Sequence, residues 1–328
     1  MKKTLLLRKS DIKNLIDMND ILKAVEKAFK EYALGKVQMP PKSYLFFPEG
    51  DFRIMPSYLE YSQVAGVKCV NSHPKNPKKY SLPTVMAIIE LIDPTDGFPL
   101  TIMDGTWITD MRTGAAGGIS AKYLARPDSK KLGIIGAGRQ ARTQLMAIKN
   151  VLDIEEVTVY CRTPSAREKF AKETSKKYNI DVKPAKTARE AVKGKDIIVT
   201  ATPSTKPVIE LEWTPPGVHI CAIGADAPGK QELDPRILIE GRIFVDSWEQ
   251  ASHSGEINVP LREGIISKED IKGTLGQVII GEVPGRTSED EITIFDSTGL
   301  SVQDMATASL IYERALKEKR GIPINFMG

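Results

Sequence analysis

The chain is poor in the residues that would tie it together through covalent or metal cross-links: it has 3 cysteines and 3 histidines in 328 residues. Cys69, Cys161 and Cys221 each sit in an apolar or strand-like stretch. Three thiols cannot make a disulfide framework, so reduced structural thiols in a cytoplasmic protein are expected. His73 lies in a loop, His219 in a strand and His253 in a polar stretch; no His/Cys/Asp cluster has metal-ligand spacing, and no metal is expected. An excess of one charge is lacking too. Lys and Arg number 46 against 42 Asp and Glu, a net charge of +4, and the absence of a basic block argues against nucleic acid as a partner. No charge-free apolar run approaches the ~18 residues of a membrane span. The first ten residues lack the apolar core and small-residue cleavage site of a secretory leader. The composition, 41% hydrophobic and 27% charged, excludes a largely disordered chain. At roughly 150 residues per domain, two domains are expected.

What is present divides by texture. In the first part, Asn19 can cap a helix whose apolar residues Ile21, Leu22, Val25, Ala28, Phe29 and Tyr32 recur at helical spacing, with Gly35 ending it. Strand-forming runs follow at 44–47, 52–55, 64–70, 85–92 and 99–103. The turns between them, Pro48-Glu49-Gly50-Asp51 and Asp93-Pro94-Thr95-Asp96-Gly97, suit an antiparallel sheet. A Gly- and Ala-rich helix is expected over 111–124, its small residues allowing close backbone approach. Beyond it, strands at 132–135, 157–160, 197–201, 218–223, 243–246 and 292–296 alternate with amphipathic segments, the pattern of a parallel sheet covered by helices. A long helix is expected over 301–320, closed by Gly321 and Pro323.

The first of those later strands runs into Gly136-Ala137-Gly138-Arg139-Gln140-Ala141 and then a helical pattern. This is the G-x-G-x-x-A form of the dinucleotide fingerprint. Gly136 permits the tight turn, Gly138 lets the backbone approach a pyrophosphate, and Ala141 keeps helix and strand close. The helix N-terminus offers free amides to phosphate. At the end of the next strand, where NAD binders usually place a carboxylate for the ribose hydroxyl, stand Cys161, Arg162 and Thr163. Arg162 can pair with a 2′-phosphate, so an NAD(P) cofactor with a preference for NADP(H) is expected. Asp226 lies in a glycine-flanked loop at the end of another apolar strand.

Five separated motifs, in this order, resemble the ornithine cyclodeaminase/mu-crystallin family: 70–76 (VNSHPKN), 111–116 (MRTGAA), 135–138 (IGAG), 224–233 (GADAPGKQEL) and 295–299 (FDSTG). The resemblance runs nearly end to end. It implies an α/β fold in which a Rossmann doubly wound parallel-sheet domain, 122–294, is inserted into an α+β substrate and dimerisation domain, 1–121 plus 295–328, with a mainly antiparallel sheet. It implies a homodimer, and a small amino, imino or 2-oxo acid as substrate. The family's catalytic aspartate falls on Asp226, its pocket lysine on Lys68 and its carboxylate-binding arginine on Arg53. Thr84 and Arg112 match positions near the substrate, the nicotinamide end and the phosphates. The cofactor lining falls on Gly136, Gly138, Arg139, Gln140, Cys161, Arg162, Thr163, Thr202, Ile223, Gly224, Ala225, Lys230 and Ser297.

Elementary chemistry is compatible with these roles. A guanidinium holds a carboxylate by two parallel hydrogen bonds. A desolvated lysine near another cation can titrate close to neutrality and serve as acid or base. Lys68 lies within the apolar run Ala65-Gly66-Val67 and Cys69-Val70. Whether Lys68 or Asp226 moves the proton stays open. The expected activity is oxidoreduction at the C–N bond of a small amino or imino acid, either alanine dehydrogenase or reduction of a cyclic ketimine such as pyrroline-2-carboxylate. Two alternatives are ornithine cyclodeamination and ligand binding of the mu-crystallin type. The aspartate loop, Gly224-Ala225-Asp226-Ala227, looks like the archaeal alanine dehydrogenase branch and departs from the Gly-Gly-Asp-Cys of cyclodeaminases.

Overall fold

The computed structural model describes residues 2–326, and the chain forms two compact units, Met1–Arg112 with Leu300–Gly328, and Thr113–Gly299. Alternating apolar residues make the first unit a mainly antiparallel sheet. Its order is Ile322–Ile324, Thr4–Leu7, Pro99–Asp104, Val85–Ile92, Val64–Ser72, Gly50–Leu59 and Val37–Gln38, with Ser43–Phe47 also pairing on Gly50–Leu59. Among the described residues of this unit, only the pairing of Thr4–Leu7 with Pro99–Asp104 is parallel.

Two long helices, Met18–Ala33 and Ser301–Lys317, belong to this unit. The first is capped by Asp17, not Asn19: Asp17 accepts from the Asp20 amide while Asp20 accepts from the Asp17 amide. That reciprocal arrangement satisfies two otherwise orphaned donors, which a lone asparagine at position 19 could not do. Gly35 follows the helix at φ +68°, in the left-handed region. The C-terminal helix stops at Lys317, and residues 322–324 form an edge strand against Thr4–Leu6 in place of a mere helix stop.

In the second unit the apolar strands are all parallel, in the order Asp181–Pro184, Glu156–Tyr160, Lys131–Ile135, Ile197–Thr200, His219–Ala222, Thr293–Asp296, Arg242–Val245 and Ile271–Thr274. The direction of winding reverses beside Lys131–Ile135, which creates a crevice at the carboxyl ends of that strand and Ile197–Thr200. The outer strands Asp181–Pro184 and Ile271–Thr274 were not foreseen, being short and partly polar. The small-residue helix is longer than expected, Gly105–Leu124, and carries the chain from the first unit into the second. Its glycines serve packing within the second unit. A Cβ at Gly114 would collide with the backbone of Thr143, and one at Gly117 with the Gln144 side chain. Gln144 donates from Nε2 to the Thr113 carbonyl at 2.9 Å.

Candidate functional site

The first unit concentrates its charged chemistry on one sheet face. Antiparallel register sets Met55 opposite Lys68 and Arg53 opposite Val70, so with the two-residue repeat of a strand all four side chains share that face. The C-terminal helix packs there. Lys68, 1% exposed, donates from Nζ to Asp304 Oδ2 at 2.5 Å. Asp304 Oδ1 accepts from Arg112 Nε at 2.8 Å, and Arg112 Nη1 donates to Gln303 Oε1 at 2.9 Å. Burial, reinforced by the Arg112 charge and opposed by Asp304, brings the Lys68 ammonium from 10.5 down to about 7.

Arg53 is also buried. Its Nε and Nη2 donate to the two oxygens of Asp51, each at 2.9 Å, and its guanidinium lies 5.5 Å from the centre of the Tyr44 ring. The Asp51 fork and the ring hold the guanidinium plane. Thr84, half-buried, precedes strand Val85–Ile92, and its carbonyl accepts from the His73 amide at 2.8 Å. His73 Nδ1 lies 2.8 Å from Asn71 Nδ2. The sequence did not single out Asp304, Gln303 or Asp51. A carboxylate between Val302 and Met305, in a helix expected to bury both, was the available signal for Asp304.

The second unit carries a cleft of about 580 Å³ at the crevice, lined by Gly136, Ala137, Gly138, Tyr160, Cys161, Arg162, Thr163 and Thr202 among others. Gly136 takes φ +116°, and a Cβ there would meet the Ala201 carbonyl. Gly138 faces open space and precedes helix Arg139–Val151, whose first amides receive no side-chain cap from it. Arg139 is exposed and Gln140 half-buried in the first turn of that helix. Cys161 Sγ donates to the Thr163 carbonyl at 3.2 Å, Arg167 Nη1 donates to the Cys161 carbonyl at 2.9 Å, and Arg162 is exposed. A turn that only glycine fits, an open backbone beside it and uncapped helix amides together suit a dinucleotide pyrophosphate.

The neighbouring strand ends are tied down by one side chain. Glu232, fully buried, accepts from the Thr202 amide at 2.7 Å and the Gly224 amide at 2.8 Å. Glu256, also fully buried, accepts from the amides of Glu232 and Leu233. Burial raises both carboxyls above their ordinary range, and Glu256 is raised further by the Glu232 charge. Ile223 and Ala225 are buried, so Ala225 presents no side chain to a cleft. Asp226 is ion-paired with Lys230 four residues on. Asn258 holds that loop from both sides, accepting from the Gly229 amide and donating to the Lys230 carbonyl, each at 2.9 Å. Ser297 is buried at the end of Thr293–Asp296, its amide donating to the Ala222 carbonyl at 3.0 Å.

The histidine and thiol of the core are chemically quiet. His219 and Cys221 are fully buried and lie near Ser120 Oγ, at 3.1 and 3.3 Å. Burial takes the imidazole down to about 3 and the thiol up to about 12. Among the described residues, no group of His, Cys, Asp and Glu has the geometry of a metal centre.

The model of the ornithine cyclodeaminase/mu-crystallin family matches residues 2–319. The chain belongs to this family. Among its relatives, the ornithine cyclodeaminase/mu-crystallin chain described here is 52% identical over 324 residues to the alanine dehydrogenase of Archaeoglobus fulgidus, covering 98% of each chain. Of solved members, an archaeal alanine dehydrogenase dimer with bound NAD superposes with a TM-score of 0.96 at 51% identity, over 99% of this chain and all of that one. The Thermococcus litoralis Δ1-pyrroline-2-carboxylate reductase, solved with NADH and L-proline, gives 0.95 at 43% identity, over 97% of this chain and 99% of that one. The expected α/β class, with one all-parallel sheet and one mainly antiparallel sheet, is that of these structures. No helix of the described residues is long and apolar enough to cross a membrane.

Proposed function

We propose that this protein is an NAD-dependent oxidoreductase acting at the C–N bond of a small 2-amino or 2-imino acid, as an alanine dehydrogenase or a pyrroline-2-carboxylate reductase. The observation that carries this reading is a fully buried lysine, titrating near 7, on the same sheet face as a buried arginine. The chain's other unit holds a dinucleotide cradle. The named activities of two relatives with near-complete coverage support it.

Arg53 receives the substrate carboxylate, its guanidinium plane fixed by Asp51 and Tyr44. Lys68 Nζ gives a proton to the substrate nitrogen in the reductive direction and takes it back in the oxidative one. Asp226 orients that nitrogen. Gly136, Gly138 and the amides of Arg139 and Gln140 hold the pyrophosphate. Cys161, Arg162 and Thr163 face the adenosine ribose. Thr202, Ile223, Gly224, Ala225, Lys230 and Ser297 hold the remainder, with Thr84 and Arg112 toward its nicotinamide end. When bound, the nicotinamide supplies or accepts hydride at the α-carbon. A screen of pyruvate with ammonia, pyrroline-2-carboxylate and L-ornithine is expected to give turnover with one of the first two and net oxidation of reduced cofactor. Ammonia release from ornithine with no net redox change, or no turnover at all, overturns the assignment.

NAD(H) is the cofactor we assign, because the two solved relatives hold NAD or NADH. The NADP(H) preference expected from Arg162 has no such support, and its exposed side chain suits a permissive ribose site. In the same screen, kcat/KM is expected to favour NADH, and a clear preference for NADPH refutes this assignment. The three free thiols fit a reducing cytoplasmic setting.

A homodimer is the assembly we assign, as in the archaeal relative solved as a dimer. The sheet face opposite Lys68 carries Cys69 paired with Ile54 and Ile88. Leu45, Phe47 and Ile88 on that side are 54%, 48% and 55% exposed, an apolar surface that a second copy would cover. Ile88→Lys is expected to convert the dimer to monomer in sedimentation, and a variant that stays dimeric places the interface elsewhere.

A further inference from the structure

The C-terminal helix brings a carboxylate across 236 positions of sequence to a proton-handling lysine. We propose that Asp304 is a positioning residue for the reaction: one buried carboxylate is the shared counter-ion of Lys68 and Arg112, and it keeps the Lys68 ammonium protonated in the working pH range. This rests on the reading of Lys68 as the acid and base.

The geometry separates this role from ordinary packing. Asp304 is fully buried, and each of its oxygens takes a different cation, Oδ2 from Lys68 and Oδ1 from Arg112. Gln303, beside it in the helix, accepts from the outer arm of Arg112, which fixes the guanidinium edge turned toward Asp304. Gln303 also accepts from the Leu300 amide at 3.3 Å, so the first turn of the helix is itself part of the clamp.

The charged groups acting on Lys68 come from three places. Asp304 lies on the C-terminal helix, Arg112 on helix Gly105–Leu124, and Lys42 just before strand Ser43–Phe47. Its direct cross-strand neighbours, Met55 and Ile89, are apolar, and Arg53, two register pairs along on the same face, is held by Asp51. Asp304 is therefore the anion in contact with Lys68, set against burial and two cations that all favour the neutral amine. Without its charge, Lys68 would lose its proton at lower pH and would no longer serve as an acid near neutrality.

The test is the pH profile of kcat/KM for reductive turnover in the full-length enzyme, for wild type, Asp304→Asn and Asp304→Glu. NADH affinity and melting temperature are measured alongside. The limb assigned to Lys68, where activity falls as pH rises, is expected to move down by about one pH unit or more in Asp304→Asn. Glu keeps the charge but displaces it by one methylene, so Asp304→Glu is expected to move the limb the same way by a smaller amount. The pH limb is the deciding readout and NADH affinity is not, because Arg112, which Asp304 also holds, is itself assigned to the cofactor. A lower kcat with an unmoved limb overturns the proposal, since a purely structural aspartate would give that result. If Asp304→Asn does not fold, Asp304→Glu decides, and a limb within about 0.2 units of wild type refutes the proposal. Lys68→Met, run in parallel, separates the two levels. If it retains turnover, the reading of Lys68 is wrong; if it loses turnover while the limb ignores Asp304, only the present proposal falls.

Discussion

Lys68→Ala is expected to lower kcat about 10²–10⁴-fold, the usual contribution of a positioned acid or base, while leaving the dissociation constant for NADH unchanged. Lys68 is not among the residues assigned to hold the cofactor, so losing it removes a proton donor and no phosphate contact. Stopped-flow turnover with NADH-binding titrations checks this, and near-normal kcat in a folded variant would falsify the role. The fold should tolerate the change, because Asp304 keeps its bond to Arg112 and is not left as an unpaired buried charge.

The same lysine makes a thermodynamic statement of definite sign. Its pKa falls from 10.5 in the unfolded chain to about 7 in the folded one. Between those values the unfolded chain binds the proton that the folded chain has given up, so the stability contributed by this group rises with pH across that window. Lys68→Met removes the titration. Denaturant unfolding at pH 7 and at pH 9.5 is expected to show a smaller gain for the variant than for wild type.

The parts of this molecule that could be read in advance are those written locally. Gly136 and Gly138 announce the cradle because a backbone need, positive φ in one case and open approach in the other, leaves glycine as the solution. The strands 197–200 and 219–222 announce themselves as apolar runs because both faces are buried. The edge strand Asp181–Pro184 carries three residues that strands disfavour or that water tolerates, so its pairing is decided by its neighbour and not by its own composition. The helix cap moved from Asn19 to Asp17 for a related reason, since two aspartates three apart satisfy each other's amides and one asparagine does not. The residues that complete each site lay furthest from reading. Asp304 meets Lys68 from 236 positions away, and Glu232 meets Thr202 from 30. Periodicity says which face a residue lies on, but not which distant group will share that face.

Glu232→Ala is expected to weaken NADH binding by at least about tenfold and to destabilise the fold by about 2–5 kcal/mol. Its two oxygens accept the amides that open the loops after Ile197–Thr200 and His219–Ala222, and both loops border the crevice. Truncation leaves two half-buried amides without their acceptor beside the buried space the side chain vacates, and each hydrogen bond to a charged group is worth about 1.5–3 kcal/mol. The packing is too close to absorb the change by drifting, because a Cβ at Gly224 would already collide with the Thr202 carbonyl and the Glu232 carboxylate. Glu232→Gln keeps the volume but turns an amide donor toward one of two donors, so it is expected to retain more stability than alanine and still lose affinity. Burial also gives the clamp a pH signature. The Glu232 carboxyl is raised above its ordinary value by burial, so between the unfolded and the folded value the folded chain holds a proton that the unfolded chain releases. The stability this group contributes is full below the ordinary carboxyl range and declines as pH rises through the folded value. Isothermal titration with NADH and thermal melts of the two variants test the clamp together. Unchanged affinity in a folded Glu232→Ala would mean that the two loops hold their places without it.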